Sequence, residues 1–398
     1  MIQRELYLQK IRPFYESDLI KILVGLRRSG KSVILSQIME ELLATGCDES
    51  QIIYINFEDL EYAFIQDEMM LYQYIKDRID KNKKYYLLFD EIQQVQNFEK
   101  AINSFRAVYN VSIFITGSNG KLFSGEFATL LSGRYVSFQI MPFCFREVCE
   151  LKQVTTTQEK RELFEDYFVW GGMPQRFLMR TEQETRVLLN DLYDSILLRD
   201  IMLRSNIQNQ DLLNRIVEYL VLNPSQIFSA KSIVKYMESV DRKISTETLY
   251  HYLEHITASF LVNRAGRYDI RGKKILTRMD KYYLTDAGFG KIRNTGMKTE
   301  YGALLENVIY NELLVRGYKV YVGKTTKGEI DFVAVKDGKK EYYQVAYYLT
   351  DEKVLEREIG AFKEVDDNFP KYLISMDTLD YSQNGIIHKN AVDFLETP

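Results

Sequence analysis

The stretch Lys21 to Leu35, KILVGLRRSGKSVIL, constrains the fold of this chain more than any other. It carries Gly25, Gly30, Lys31 and Ser32 in the spacing G-x-x-x-x-G-K-S, between an apolar run that reads as a strand and one that reads as a helix. Gly25 and Gly30 admit backbone conformations that a side chain forbids. The loop then aims the amides of Gly25, Leu26, Arg27, Arg28, Ser29, Gly30, Lys31, Ser32 and Val33 at phosphate oxygens, at the positive end of the following helix. In that arrangement Lys31 reaches the β- and γ-phosphates of ATP, and Ser32 ligates Mg²⁺. A chance Gly-Lys-Ser turn is the bland alternative. The four fixed positions in a strand–loop–helix context speak against it.

A second landmark follows. Tyr85 to Phe89 is wholly apolar and runs into Asp90-Glu91. Such a run suits a parallel strand buried on both faces, and an acidic pair at its C-terminal end lies where open α/β sheets bind ligands. Asp90 is the candidate Mg²⁺ residue, and Glu91 the residue that orients or deprotonates the attacking water. Capping of the next helix is the plainer role for the pair. Val111 to Thr116 reads as a further buried strand ending in Gly117-Ser118-Asn119. Ser118 and Asn119 are candidates to touch the γ-phosphate and water, or else simple turn formers. Arg134 leads into a strand at Tyr135 to Ile140. It is a candidate catalytic arginine, acting on its own nucleotide or a neighbour's, or a surface charge.

The chain is similar here to a widespread prokaryotic family of AAA+-like ATPases that carry a C-terminal domain of unknown function. The matching residues are Gly25 to Ser32, Asp90-Glu91-Ile92-Gln93, Thr116-Gly117-Ser118, Leu131-Ser132-Gly133-Arg134, Trp170-Gly171-Gly172-Met173-Pro174 and Arg199-Asp200-Ile201. The resemblance spans nearly the whole chain. It implies an α/β P-loop NTPase core with a five-stranded sheet, an appended helical region, a winged helix and a degenerate nuclease-like tail. It supplies no cellular role.

Composition bounds the remaining choices. The chain has 398 residues, 46% hydrophobic and 27% charged, and a formal net charge of −4. It can bury large cores, and its overall charge gives no nucleic-acid signal. The N-terminus lacks an apolar leader, and no run has the length of a membrane span. Cys47, Cys144 and Cys149 have neither disulfide nor zinc spacing, so the expected compartment is a reducing cytoplasm. His251 and His255 stand four apart on a predicted helix with no third ligand near, which reads as a helix face rather than a metal site.

The expected domains are an ATPase core at 1–142, a helical lid at 143–207, a winged helix at 208–292 and an α/β restriction-endonuclease-like domain at 300–398. In the lid, Arg176, Arg180, Arg199 and Arg204 are candidate second phosphate sensors. In the winged helix, positions 264–281 read as a hairpin with seven cations (Arg264, Arg267, Arg271, Lys273, Lys274, Arg278, Lys281) against Asp269 and Asp280. That surplus can grip DNA phosphates, or it can be a solvated hairpin in a protein-docking domain.

The tail resembles the PD-(D/E)xK nuclease fold. Glu306 on a helix and Asp331 on a strand stand at the family's metal positions. Gln344 and Ala346 occupy the next acid and lysine positions. Alanine cannot activate a nucleophile, and twelve Lys/Arg against eighteen Asp/Glu from Glu300 to Pro398 suit a polyanion poorly. An inactive tail is therefore expected. Three functions stay open: an ATP-driven switch acting on DNA, an ATP-regulated protein-interaction module with slow turnover, and a metal-dependent nuclease coupled to the ATPase. A homo-oligomer fits any of them.

Overall fold

The computed structural model describes residues 2–118, 120, 130–131, 133–203, 207, 209–239, 244–294, 300–326 and 328–397. Asn119, Ser132 and Arg204 lie outside the described residues. The chain divides into two compact units, Met1–Met141 with Ala258–Phe260, and Pro142–Thr257 with Leu261–Pro398.

Unit 1 is built on a sheet of five strands: β1 (Ile20–Val24), β2 (Ile52–Asn56), β3 (Tyr85–Asp90), β4 (Val111–Gly117) and β5 (Tyr135–Gln139). Their spatial order is β2-β3-β4-β1-β5, and each neighbouring pair runs parallel. Every residue of β1, β3 and β4 is buried, the burial that unbroken apolar runs require of a sheet covered on both faces. Helix α1 (Glu5–Ile11) and helix α2 (Lys31–Ala44) cover one side. Tyr7, Leu8 and Ile11 of α1 and Ile34, Leu35 and Ile38 of α2 join Leu23, Leu88 and Phe114 in one core. Helices α3 (Glu68–Lys76) and α4 (Phe98–Val108) also belong to the unit. Asp67 starts α3 by accepting from the Met69 and Met70 amides.

A lysine is buried with this core. Lys21 on β1 is fully buried, and its Nζ donates to the Ser112 hydroxyl at 2.8 Å and the Ser17 carbonyl at 3.1 Å. Burial, helped by the charge of Lys84, pulls its pKa down to about 7. In the unfolded chain a lysine titrates near 10.4. Between the two values the unfolded state holds a proton that the folded state lacks, so this group makes stability rise with pH. The cost of burying the ammonium is fully present below about pH 7 and fades towards pH 10. A displacement of this size is worth on the order of a few kcal/mol. Urea unfolding of wild type and Lys21→Met at pH 6.5 and pH 9 is expected to show wild type gaining on the variant as pH rises. A constant difference would mean that Lys21 titrates like an exposed lysine.

Unit 2 opens with helices α5 (Phe145–Lys152), α6 (Thr157–Trp170) and α7 (Glu182–Ser195), the last running into a π-helical segment over Ile196–Leu203. Thr156 and Thr181 start α6 and α7 with reciprocal capping boxes to Glu159 and Glu184. The Trp170–Pro174 motif has a packing reason. A Cβ on Gly172 would stand 1.9 Å from the Phe143 carbonyl oxygen. The Gly172 amide donates to Asp286 at 2.7 Å, and Gly288 donates to the same carboxylate at 2.9 Å. Burial pushes the Asp286 pKa up to about 6, against the pull of those amides.

Three helices, α8 (Gln210–Leu222), α9 (Ala230–Ser239) and α10 (Thr246–Ala258), precede the hairpin of β6 (Val262–Asp269) and β7 (Lys274–Leu284). After α11 (Ala287–Arg293) and α12 (Tyr301–Val315) come β8 (Lys319–Lys324), β9 (Glu329–Lys336) and β10 (Lys339–Val345). The chain ends with α13 (Glu352–Gly360), β11 (Lys371–Ser375), β12 (Ile386–Asn390) and α14 (Ala391–Glu396). Asp337 and Gly338 both take positive φ, 50° and 76°, in the turn between β9 and β10, as the Asp-Gly signal implies. β6 pairs with β8, so the hairpin belongs to one seven-stranded sheet, β12-β11-β10-β9-β8-β6-β7. The hairpin is thus hydrogen-bonded across the 292–300 junction at which the sequence suggests a domain boundary. No helix among the described residues is long and apolar enough to cross a membrane.

Candidate functional site

The loop from Gly25 to Gly30 leaves β1 at its C-terminal end and delivers Lys31 to the first turn of α2. Its shape is one that few residues permit. Gly25 has φ +149°, and a Cβ there would stand 2.2 Å from the Ile140 carbonyl oxygen. Gly30 (φ +101°) is left-handed as the N-cap of α2, and Arg28 (φ 63°) is left-handed too. The Lys31 ammonium, 4% exposed, donates to the Gly25 and Leu26 carbonyls at 3.1 Å each. It thereby rests on the loop's own carbonyls. Ser32 is exposed, Val33 half-buried and Ser29 buried. Arg27 pairs with Glu58 at 3.1 Å, while Arg28 is exposed.

Asp90 ends β3, beside the loop end of the sheet, and is 1% exposed. Its carboxylate accepts hydrogen bonds from Thr116 and from Tyr54, the latter at 3.3 Å. Burial raises its pKa; hydrogen bonds from the Ser32 and Thr116 hydroxyls work the other way. Ser32 thus stands among the residues around Asp90. A hydroxyl and a carboxylate are the hard oxygen donors that Mg²⁺ takes alongside water and phosphate, so these residues fit that ion.

Glu91 sits in the left-handed region at φ 54°. Its amide donates to Thr116 Oγ1 at 2.9 Å. Its carboxylate accepts from Gln93 Nε2 and from Ser118 Oγ, the latter at 3.4 Å, and lies 3.9 Å from Lys31 Nζ. Lys31, Ser32, Asp90, Glu91 and Ser118 are thus brought together at the C-terminal ends of β1, β3 and β4. Thr116, Tyr54 and Gln93 join them without having been marked as site residues. Thr116 and Gln93 stand within the quoted motifs, which is the signal that could have found them.

Arg134 does not join. β5 runs parallel to β1, and the Ile20 amide at the start of β1 donates to the Arg134 carbonyl at 3.0 Å. Arg134 therefore lies at the opposite end of β1 from the loop. Five residues separate the two ends, roughly 16 Å at about 3.3 Å per residue. A role on the chain's own nucleotide is corrected by this placement.

In unit 2 Arg176 is spent locally: its Nε donates to the Gly171 carbonyl at 2.6 Å and its Nη1 pairs with Asp166 at 2.9 Å. Arg180 and Arg199 are exposed. Five of the hairpin cations are also engaged, and the side chain of Arg278 lies outside the described ones. Arg264 meets Asp280, Arg267 meets Glu329, Arg271 meets Glu364, Lys273 meets Asp366, and Lys281 meets both Glu306 and Glu329. Five of the seven cations counted in the sequence thus face carboxylates of their own unit, and the surplus available to a polyanion is smaller than +5. Glu306, Asp331 and Gln344 do converge. Gln344 accepts from the Asp331 amide at 3.3 Å and donates to Glu358 at 2.7 Å, and Asp331 accepts from the Val345 amide at 2.8 Å. Ala346 is buried beside them. Lys281 brings a cation to this cluster, as Arg357 does at Glu358, and it is one of the seven hairpin cations counted in the sequence. Among the described residues no group of three or more His, Cys, Asp or Glu is arranged to hold a metal ion.

Comparison with known proteins agrees with this geometry. Residues 17–149 match the model of an AAA domain, and residues 161–296 match that of a domain of unknown function. An uncharacterised protein of Haemophilus influenzae is 37% identical over 94% of this chain and 93% of its own length. An uncharacterised protein of Methanocaldococcus jannaschii is 31% identical over 94% of this chain and 84% of its own length. Among solved structures, AMPPCP-bound DnaA from Aquifex aeolicus is similar at a TM-score of 0.31 and 13% identity, over 63% of this chain and 86% of that one. PCH-2 of C. elegans is similar at 0.27 and 13%, over 63% and 66%. Likenesses that weak carry no weight for function. The full-length relatives and the matched AAA domain do carry weight: the chain belongs to a family of AAA-type P-loop proteins, shared with the Haemophilus and Methanocaldococcus proteins, in which the nucleotide-binding domain is joined to a second domain of unknown function.

Proposed function

We propose that unit 1 binds ATP with Mg²⁺ at Gly25–Val33 and hydrolyses it, and that the change in nucleotide state alters how unit 2 is presented to a partner. The observation that carries this reading is the convergence of Lys31, Ser32, Asp90 and Glu91 on one end of a parallel sheet. The loop amides and Lys31 hold the phosphates, with the ammonium exchanging the Gly25 and Leu26 carbonyls for phosphate oxygens. Ser32 and Asp90 hold Mg²⁺, which when bound neutralises charge on the β- and γ-oxygens. Glu91, steadied by Gln93 and Ser118, accepts a proton from or orients the attacking water. Arg134, if it acts on a nucleotide, acts on that of a second copy.

We assign 1–142 as the ATPase core, 143–207 as its lid, 208–292 as a winged-helix module whose hairpin extends the sheet of the next segment, and 300–398 as a catalytically silent nuclease-like module. The paired hairpin charges favour a protein partner for unit 2 over DNA. The three free cysteines suit a reducing cytoplasm.

Nucleotide titration tests the site. Wild type is expected to bind ATP in Mg²⁺, and Lys31→Ala to bind at least about tenfold more weakly, since charge-assisted bonds to phosphate are each worth about 1.5–3 kcal/mol. Equal affinities would remove Lys31 from the site. ATPase rates with and without DNA across a salt series then separate the partners. Salt-sensitive stimulation by DNA would reverse the preference for protein.

A further inference from the structure

Arg4 lies far from the loop in sequence and is 1% exposed. Its Nη1 donates to the Ser29 carbonyl at 3.0 Å and its Nη2 to the Met141 carbonyl at 3.0 Å. Its guanidinium stands 4.8 Å from the Tyr7 ring centroid, and its backbone amide donates to Gln37 Oε1 of α2 at 3.0 Å. Tyr7 in turn accepts the Met141 amide at 3.0 Å. Three segments distant in sequence thus meet on one planar fork: the start of the chain, the phosphate loop, and Met141, the residue at which the chain passes from unit 1 to unit 2.

We propose that Arg4 is a positioning residue for the phosphate loop and ties that loop to the point where the chain leaves unit 1. The inference rests on the nucleotide reading of Gly25–Val33. The Ser29–Gly30 peptide is planar and trans, so its C=O and N–H point in opposite directions. Arg4 holds the carbonyl from behind, which turns the Gly30 amide to the face where phosphates sit. Gly30 is the left-handed N-cap of α2, and its carbonyl accepts the Ile34 amide at 3.1 Å to open that helix. A swing of this peptide would disturb both the cradle and the first turn carrying Lys31 and Ser32. Arginine suits the position for two reasons. Its two terminal nitrogens reach two carbonyls at fixed spacing, which a lysine ammonium cannot copy, and it tolerates burial because it is weakly hydrated. Its permanent charge also adds positive potential behind a polyanion site.

The test is ATP titration and steady-state turnover of full-length wild type, Arg4→Met and Arg4→Lys, at a temperature where circular dichroism shows each folded. Arg4→Met is expected to raise Kd and KM about tenfold, equivalent to about 1.4 kcal/mol, with kcat within about twofold, the pattern of lost uniform binding. Arg4→Lys is expected to recover only part of the loss. A merely structural role would lower the melting temperature and leave Kd of the folded protein unchanged, and that result overturns the proposal. Full recovery with lysine overturns it too, by leaving charge alone as the cause. If Arg4→Met does not fold, Arg4→Lys decides by the same readouts. Wild type is titrated first: absence of binding there refutes the nucleotide reading itself, whereas wild-type affinity in the variants refutes this inference alone.

Discussion

Replacing Lys281 by methionine is expected to cost unit 2 about 3–5 kcal/mol, the range for removing one partner of a buried ion pair. The Lys281 side chain is 5% exposed and lies 3.1 Å from Glu306 and 2.6 Å from Glu329. Burial works to strip its proton, but the carboxylates of Glu306, Asp331 and Glu329 outweigh it and hold the ammonium charged. Burial raises the pKa of Glu306, and Lys281 and Tyr283, whose hydroxyl donates at 2.7 Å, oppose that rise. Asp331 is pushed well up by burial and by the charge of Glu306. Methionine keeps the packing and removes the charge, leaving these carboxyls to repel one another in a largely buried site. The fall in the unfolding midpoint measures the loss. Adding Glu329→Gln to Lys281→Met should return part of it, because one of the stranded charges disappears. A loss below about 1 kcal/mol, the range of an exposed pair, would show the cluster to be solvated.

Lys281 also shows where sequence reading stops. Its neighbours in the chain make it one cation among seven. That it points into a carboxylate cluster depends on the hairpin pairing β6 with β8 and on the packing of α12, both long-range facts. Arg4 is hidden for the same reason: its partners are 25 and 137 residues away. For Arg134 the choice between its own nucleotide and a neighbour's turned on direction. A residue just before a strand is placed at one end of the sheet only when the strand's orientation is known, and the parallel pairing of β5 with β1 puts it away from the loop.

What was legible was local. Gly25 and Gly30 adopt the positive φ values that the loop spacing implies. Asp90-Glu91 terminates a fully buried strand, as an unbroken apolar run ending in acids suggests. Asp337-Gly338 makes the hairpin turn its dipeptide encodes. The five-stranded parallel sheet agrees with the family resemblance. Each of these features is set by neighbours in sequence or by a motif with a fixed geometry. Burial of a lone charged residue is set by neither.

Glu91→Gln is the other change with a large expected effect. Glutamine keeps the size of the side chain and its contacts with Gln93 and Ser118, but it can neither accept the water's proton nor offer a carboxylate to orient it. General-base contributions are about 10²–10⁴-fold, so turnover should fall by about a hundredfold or more. Ground-state contacts to the phosphates come from the loop and Lys31, so ATP affinity should stay within a few fold of wild type, or tighten slightly as a negative charge leaves the site. The measurement that bears most directly on the central claim is steady-state ATP turnover of the purified full-length chain in Mg²⁺ and in EDTA, beside Glu91→Gln, with ATP affinity taken on the same samples. The account predicts Mg²⁺-dependent turnover in wild type and its loss in Glu91→Gln with binding retained; undiminished turnover in Glu91→Gln would contradict it.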